Sequence, residues 1–199
     1  MKRSRIKYHY FIVNKPYGVL CQFTDSSGRK TLSDIGRFPR NVYPAGRLDF
    51  DSEGLVFLTD DGKLKSYLLD PENQHPRTYL VQVENIPDEK SLMSLRNGIK
   101  IKECVTRPAD VVLLENEPNI LPREKPIRYR KNIPTSWLRI TLYEGKNRQV
   151  RRMTAAVGCP TLRLIRIEIG PLSIGELKPG EFRELKNHEV ENLRKYIIG

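Results

Sequence analysis

The order of secondary-structure signals limits the fold of this chain more than any other sequence feature. Strand signals follow one another as often as they alternate with helical signals, and the sequence has neither a GxGxxG motif nor a regular strand–helix repeat. Residues 76–85 place Tyr79, Val81 and Val83 on one face, which is typical of a half-buried strand. Residues 55–59 form a continuous apolar run, as in a strand buried on both faces. We therefore expect an α+β fold with a mixed, largely antiparallel sheet rather than a doubly wound nucleotide-binding fold.

Helices are predicted where a capping side chain precedes an amphipathic run. Asp61 and Asp88 are each placed to cap a helix, and a last helix is expected to begin near Asn187. Asn147 is expected to cap a further helix over residues 148–157.

The region between residues 117 and 135 has the composition of an extended basic loop. It contains four prolines, which interrupt helices and central strands alike. A solvated surface loop and an RNA contact explain this composition equally well. The basic residues of the loop are Arg123, Lys125, Arg128, Arg130 and Lys131.

The balance of charges indicates the class of partner. With 35 basic and 24 acidic residues the chain has a formal net charge of +11, which attracts polyanions and makes a nucleic acid the first partner to consider. No apolar run is long enough to span a bilayer and no signal peptide is evident, so we expect a cytoplasmic protein without a membrane partner. The three cysteines are widely separated, which argues against a zinc site or a disulfide framework.

Three carboxylates, those of Asp49, Asp51 and Glu53, lie close together in the segment GRLDFDSEG at residues 46–54. Their spacing allows oxygen ligands for a metal, a carboxylate pair for glycoside hydrolysis, or a single nucleophilic aspartate. A solvated acidic loop is the fourth interpretation, and on residue types alone it is the most common one.

The same segment resembles the motif of a known enzyme family, the RsuA family of pseudouridine synthases. Several further blocks match in order over roughly residues 8–185, and ordered blocks at plausible separations are a much stronger signal than one tetrapeptide. The blocks are NKPYG at 14–18, GRLD at 46–49, SEGL at 52–55, LTDDG at 58–62, RTYLVQV at 77–83, GKNRQVRRM at 145–153, TLRLIR at 161–166 and GPL at 170–172.

Within this family the chain is most similar to the E type that modifies RNA of the large ribosomal subunit. The similarity lies in the segments QFTD at 22–25, GRKTL at 28–32 and IPTSWL at 133–138. The resemblance implies the family's catalytic fold, as a single domain over residues 1–199 with two sub-lobes around a central cleft. Many relatives carry an RNA-binding domain of the ribosomal S4 type before the catalytic domain. Because only about seven residues precede the first strand here, we expect no such domain, as in the E type.

The resemblance implies isomerisation of a uridine in RNA, with Asp49 as the catalytic aspartate. The uridine is flipped out of the RNA, Asp49 acts as nucleophile or base, and the freed uracil rejoins the sugar through C5. Because the product is an isomer, no metal or redox cofactor is expected. By analogy with the E type the substrate is one uridine in domain V of 23S ribosomal RNA, in free RNA or in a precursor particle, and the enzyme is expected to be a monomer.

Two more catalytic positions follow from the same resemblance. Tyr79 matches the family's active-site tyrosine, placed to stack on the uracil and to act as a base near C5, although a strand tyrosine is often simply part of a core. Arg151 best matches the basic partner that an ionised carboxylate needs in a closed pocket. A phosphate contact is the alternative for Arg151.

Contacts to the substrate and to RNA are expected from residues around these positions. Leu164 matches an apolar wall of the pocket, with core packing as its alternative. Arg47 is expected to fill the space left by the flipped base or to bind a phosphate, and Lys15 to bridge to the acidic loop or to bind RNA. A basic rim around the cleft would combine the 117–135 loop with Arg148, Arg152, Arg163 and Arg166.

Two other functions are compatible with the residues. A non-catalytic RNA-binding or ribosome-assembly factor would keep the fold, but it would not need Asp49, Tyr79 and Arg151 together. A hydrolase would use Asp49 with a neighbouring carboxylate, yet alternate carboxylates on one short loop are poorly placed to flank a bond.

Overall fold

The computed structural model describes residues 8–102, 104–127 and 130–198, which form eleven strands and four α-helices. The strands are β1 (Tyr10–Lys15), β2 (Tyr43–Pro44), β3 (Glu53–Thr59), β4 (Arg77–Glu84), β5 (Lys100–Ile101), β6 (Cys104–Val105), β7 (Asp110–Leu113), β8 (Thr135–Leu142), β9 (Thr161–Ile169), β10 (Leu172–Ser173) and β11 (Phe182–Glu184). The helices are α1 (Gly62–Leu69), α2 (Glu89–Asn97), α3 (Gln149–Ala156) and α4 (Asn187–Ile198).

Nine of the strands form one sheet, and this confirms the expected α+β class. The order is β11-β1-β3-β9-β4-β8-β7, with β2 added to β3 and β10 added to β9. Every neighbouring pair is antiparallel except β3 with β9, so the sheet is mixed and largely antiparallel as the sequence predicts. β5 and β6 form a separate two-stranded ribbon.

Strand β3 lies inside the sheet, between β1 and β9, and is buried along its whole length. Val56 and Leu58 face the larger core, to which α2 and α3 contribute, whereas Leu55 and Phe57 face a second core lined by α1 and α4. A strand covered on both sides has no polar face, and this explains the continuous apolar run in the sequence.

The parallel contact between β3 and β9 depends on Gly54. Its φ is +104°, and a Cβ at this position would lie 2.2 Å from the carbonyl oxygen of Arg166. Only glycine allows such an approach of the two backbones. The contact fixes the end of the acidic segment against β9, the strand that carries Leu164.

The helix starts agree with the sequence at three positions and differ at one. Asp61 and Asp88 cap α1 and α2 through their side chains, and α4 begins at Asn187. The predicted Asn147 cap is wrong: α3 begins one residue later than expected, and Arg148 stands before it in the left-handed conformation with φ +51°. The Asn147 side chain instead accepts a hydrogen bond from Arg152.

The predicted basic loop has neither helix nor strand over residues 117–127 and 130–134, and Thr135 already belongs to β8; Arg128 lies outside the described residues. The Leu121 carbonyl accepts a hydrogen bond from Arg163 of β9, which attaches the loop to the sheet. Across the described parts of the chain, no helix has the length and apolar character that crossing a membrane requires.

Candidate active site

Asp49 lies in a tight turn between β2 and β3, and contacts from distant segments hold the turn in place. The Ser52 N–H donates to the Asp49 carbonyl at 3.1 Å. The Gly18 N–H donates to the Phe50 carbonyl at 2.9 Å, and the Arg151 guanidinium donates to the next carbonyl along the chain at 2.7 Å. The NKPYG block and the GKNRQVRRM block therefore both position the acidic turn.

Arg148 is the cation that contacts Asp49. Its Nη1 lies 3.2 Å from Oδ2 of Asp49, and both of its terminal nitrogens bind the carboxylate of Asp51, at 3.0 and 2.9 Å. Burial opposes ionisation of Asp51, but the hydrogen bonds from Arg148 and the charge of Arg151 outweigh it and lower the pKa of that carboxyl. The hydrogen bonds to Asp51 likewise raise the pKa of Arg148. The Arg148 guanidinium thus bridges the two carboxylates of the turn, with charge-assisted hydrogen bonds to both.

Five of the residues singled out in the sequence line one cavity of about 350 Å³. They are Arg47, Asp49, Tyr79, Arg148 and Leu164. Tyr79 comes from β4 and Leu164 from β9, and both are almost fully buried, so they form an aromatic and apolar wall beside the partly exposed carboxylate of Asp49. The volume lies at the lower end of the range of about 300–1,000 Å³ found for ligand sites.

Arg151 takes a different position from the one expected. It approaches Asp51 rather than Asp49, at 3.4 Å from Oδ2, and its shortest hydrogen bond, 2.7 Å, goes to the Asp51 carbonyl of the backbone. Burial lowers its pKa, and its Nε has no hydrogen-bond partner in the described part of the chain. The direct ion pair to Asp49 comes from Arg148 instead, because the left-handed backbone before α3 turns that side chain over the acidic turn.

Lys15 is fully buried, and this corrects the expectation of an RNA contact. Its Nζ donates to the carbonyls of Pro16 and Val19 at 3.0 and 2.8 Å, and burial lowers its pKa to about 8. No part of the side chain reaches the surface, where a phosphate would bind. The lysine instead shapes the 16–19 loop, from which Gly18 supports the acidic turn.

Arg163 and Arg166 also lie inside the protein and do not form part of a basic rim. Arg163 makes a two-pronged ion pair with Glu53, at 2.9 and 2.8 Å, and Arg166 donates to the Leu55 carbonyl. Because Glu53 faces Arg163, the three carboxylates of the segment do not converge on a common point. Within the described residues, no group of three or more His, Cys, Asp or Glu side chains is arranged to hold a metal ion.

A polar network that supports the Arg148 turn was not predicted from the sequence. Glu144 and Gln149 are buried and line the cavity. Gln149 donates to Glu144 at 2.7 Å and accepts from the Lys146 N–H at 2.9 Å, which closes the turn before α3. Only the position of Gln149 within the matched GKNRQVRRM block could have drawn attention to it. Arg152 binds Asn147 on the surface and does not line the cavity.

Comparison with known proteins identifies the family. The sequence model described as RNA pseudouridylate synthase matches residues 9–156. Proteins named ribosomal large subunit pseudouridine synthase E are 52% identical in Vibrio parahaemolyticus, over 88% of this chain and 73% of the relative, and in Xanthomonas campestris, over 86% and 92%. A solved structure described as a pseudouridylate synthase is 30% identical, with a TM-score of 0.77 over 94% of this chain and 74% of that one. The chain therefore belongs to the RNA pseudouridylate synthase family.

Proposed function

We propose that this enzyme converts one uridine of 23S ribosomal RNA, in domain V, to pseudouridine. The observation that carries the proposal is the meeting of Asp49, Tyr79 and Leu164 in one cavity, although they come from three separate segments. The names of the relatives at 52% identity support a large-subunit substrate, and the net charge of +11 suits a polyanion.

The geometry supports a specific division of work. A uridine has to leave the RNA stack to reach a cavity of this kind. Arg148 binds Oδ2 of Asp49 and leaves Oδ1 for the substrate. We propose that Asp49, as nucleophile or base, acts when the C1′–N1 bond breaks, with the uracil held between Tyr79 and Leu164. The ring then turns, C5 bonds to C1′ and loses its proton near Tyr79, and N1 gains a proton.

The remaining features of the enzyme are proposals of the same kind. The single sheet that joins the first and last strands supports one catalytic domain. We propose that the domain works as a monomer in the cytoplasm without a metal or redox cofactor. Arg47, an exposed residue that lines the cavity, is proposed to bind RNA, together with the partly exposed Arg152 of α3.

The test uses the full chain and unmodified 23S rRNA transcribed in vitro, as free RNA and assembled into precursor particles. Nucleoside chromatography with mass spectrometry measures pseudouridine, and reverse transcription after chemical derivatisation maps it. We expect one modified uridine in domain V. A single product elsewhere in 23S rRNA would contradict the position but not the chemistry, and no pseudouridine in either substrate would contradict the proposed function.

A further inference from the structure

A second and larger groove lies directly beside the catalytic cavity. Its volume is about 770 Å³, and its walls come from residues 21–24, Ser33, residues 36–40, residues 42–44, Arg47 and Lys65 of α1. Arg47 lines both this groove and the catalytic cavity, so the two are neighbours on the surface. Nothing in the catalytic arrangement described above uses the groove.

The groove carries unpaired positive charge. Arg37, Arg40, Arg47 and Lys65 line it, and no carboxylate is among the lining residues that the structure describes. Unlike Arg148, none of these four cations has an ion-pair or side-chain hydrogen-bond partner within the described ranges. Cations that are left free along a groove attract a chain of phosphates.

An aromatic ring is presented on the same surface. Tyr43 is 54% exposed, although its backbone is fixed by pairing of β2 with β3. Phe23 packs edge-on behind it, with 6.2 Å between ring centroids, and Phe38 packs behind Phe23 at 5.7 Å. Lys65 lies 5.6 Å from the centre of the Tyr43 ring. Tyr43 is thus a supported ring with Lys65 over it and about half of the residue still exposed, as in sites where a nucleic-acid base stacks beside a cation.

We infer that the groove binds the single-stranded RNA next to the target uridine, with one neighbouring base stacked on Tyr43 and its phosphates on Arg37 and Arg40. Free cations combined with an accessible aromatic ring suit an unpaired nucleotide, because the bases of a duplex are already stacked on one another. Arg47 would then contact the backbone where the strand passes from the groove into the catalytic cavity. The inference rests on the proposed function.

Binding measurements on the full chain test the groove with in-vitro-transcribed 23S rRNA between 50 and 200 mM KCl. We expect Tyr43→Ala to weaken binding about 5- to 100-fold, which corresponds to the loss of one stacked base. The double variant Arg37→Ala/Arg40→Ala should reduce the slope of log affinity against log salt by about 0.7 for each phosphate that is no longer bound. Arg139→Ala is the matched control, because Arg139 is exposed on the face of the sheet opposite Tyr79 and pairs with Glu168.

Crosslinking of the unaltered protein provides a measurement that no folding defect can obscure. A 23S transcript containing 4-thiouridine is irradiated on the enzyme, and the crosslinked peptides are identified by mass spectrometry. We expect crosslinks within residues 22–47, and Tyr43→Val, which keeps a strand-forming residue, should remove those to Tyr43. The inference would be overturned if crosslinks were confined to other segments and the groove variants kept the affinity and salt slope of the unaltered protein. The groove would then be a site for a protein partner.

The two proposals fail in different ways. If the enzyme makes pseudouridine but the groove variants bind RNA like the Arg139→Ala control, the groove is wrongly assigned and the proposed function stands. If no pseudouridine forms but Tyr43→Ala and the double arginine variant still weaken RNA binding, the proposed function fails and the RNA groove stands.

Discussion

The guanidinium of Arg148 lies 3.2 Å from the carboxylate of Asp49, although 99 residues separate the two in sequence. The same guanidinium holds Asp51 through two hydrogen bonds. One guanidinium therefore bridges two carboxylates on a turn, with Arg151 also 3.4 Å from Asp51, and it leaves one oxygen of Asp49 unbound by Arg148. Arg148 adopts a positive φ to do so, a conformation that costs a non-glycine residue of the order of 1–3 kcal/mol.

Replacing Arg148 tests whether this residue orients Asp49 for catalysis or mainly stabilises the fold. Both charged partners are more than a third exposed, so the ion pair is expected to contribute less than about 1 kcal/mol to folding. We expect Arg148→Ala to lower kcat/KM at least about 10-fold while the free energy of unfolding changes little, because Asp49 loses its fixed orientation. Arg148→Lys keeps the charge but not the two-pronged contact, so its kcat/KM should lie between those of Arg148→Ala and the unaltered enzyme. Unaltered turnover in Arg148→Ala would show that the pair has no catalytic role.

Tyr79→Phe tests the hydroxyl group independently of the ring. Phenylalanine keeps the buried aromatic wall, so RNA affinity and stability should stay close to those of the unaltered enzyme. If the hydroxyl transfers a proton at C5, kcat should fall by about 10²–10⁴-fold. Single-turnover kinetics at saturating RNA measure this step, and a loss below about twofold would restrict Tyr79 to stacking.

Lys15 predicts an unusual dependence of stability on pH. Burial lowers its pKa from 10.5 to about 8, so between these values the unfolded chain binds more protons than the folded chain. Stability should therefore rise with pH across this window, whereas below pH 8 both states hold the proton and the penalty is constant. The quantity to follow is the free energy of unfolding of the unaltered protein minus that of Lys15→Met. This difference should increase by about 2 kcal/mol from about pH 8 to about pH 10. Urea unfolding at each pH measures this difference, and a difference that stays constant with pH would contradict the lowered pKa of Lys15.

The ion pair of Glu53 with Arg163 is buried on both sides, and breaking it should be costly. Glu53→Ala leaves a buried guanidinium without its partner and is expected to destabilise the protein by about 3–5 kcal/mol. The double variant Glu53→Met/Arg163→Met removes both charges and should recover much of this loss. Urea denaturation checks both, and a single variant as stable as the double one would contradict the prediction.

Periodicity and capping patterns predict most of the fold. The apolar run of β3, the alternation of β4 and the Asp61 and Asp88 caps are local features, so they can be read directly from the sequence. The Asn147 cap could not be predicted correctly, because the turn before α3 is closed by Gln149 and by contacts to Glu144 from the preceding strand end. The start of α3 therefore depends on these side-chain contacts rather than on the capping pattern.

The same distinction applies to the site. The matched blocks identify Asp49, Tyr79 and Leu164, and the structure brings them to one cavity. Residue type alone could not show that Lys15 would be buried or that Arg148 would lie closer to Asp49 than Arg151 does. A basic residue looks the same in sequence whether it faces solvent, a carbonyl or a carboxylate, and only the tertiary packing separates these environments.

Asp49 and Asp51 offer a matched pair for the central claim, because both lie on one turn and both bind Arg148. The decisive measurement is the yield of pseudouridine in 23S rRNA from Asp49→Asn and Asp51→Asn, with RNA affinity measured in parallel. We predict no detectable product from Asp49→Asn, RNA binding within about threefold of the unaltered enzyme, and measurable product from Asp51→Asn. Pseudouridine formed by Asp49→Asn at the rate of the unaltered enzyme would contradict the assignment of Asp49 as the reacting carboxylate.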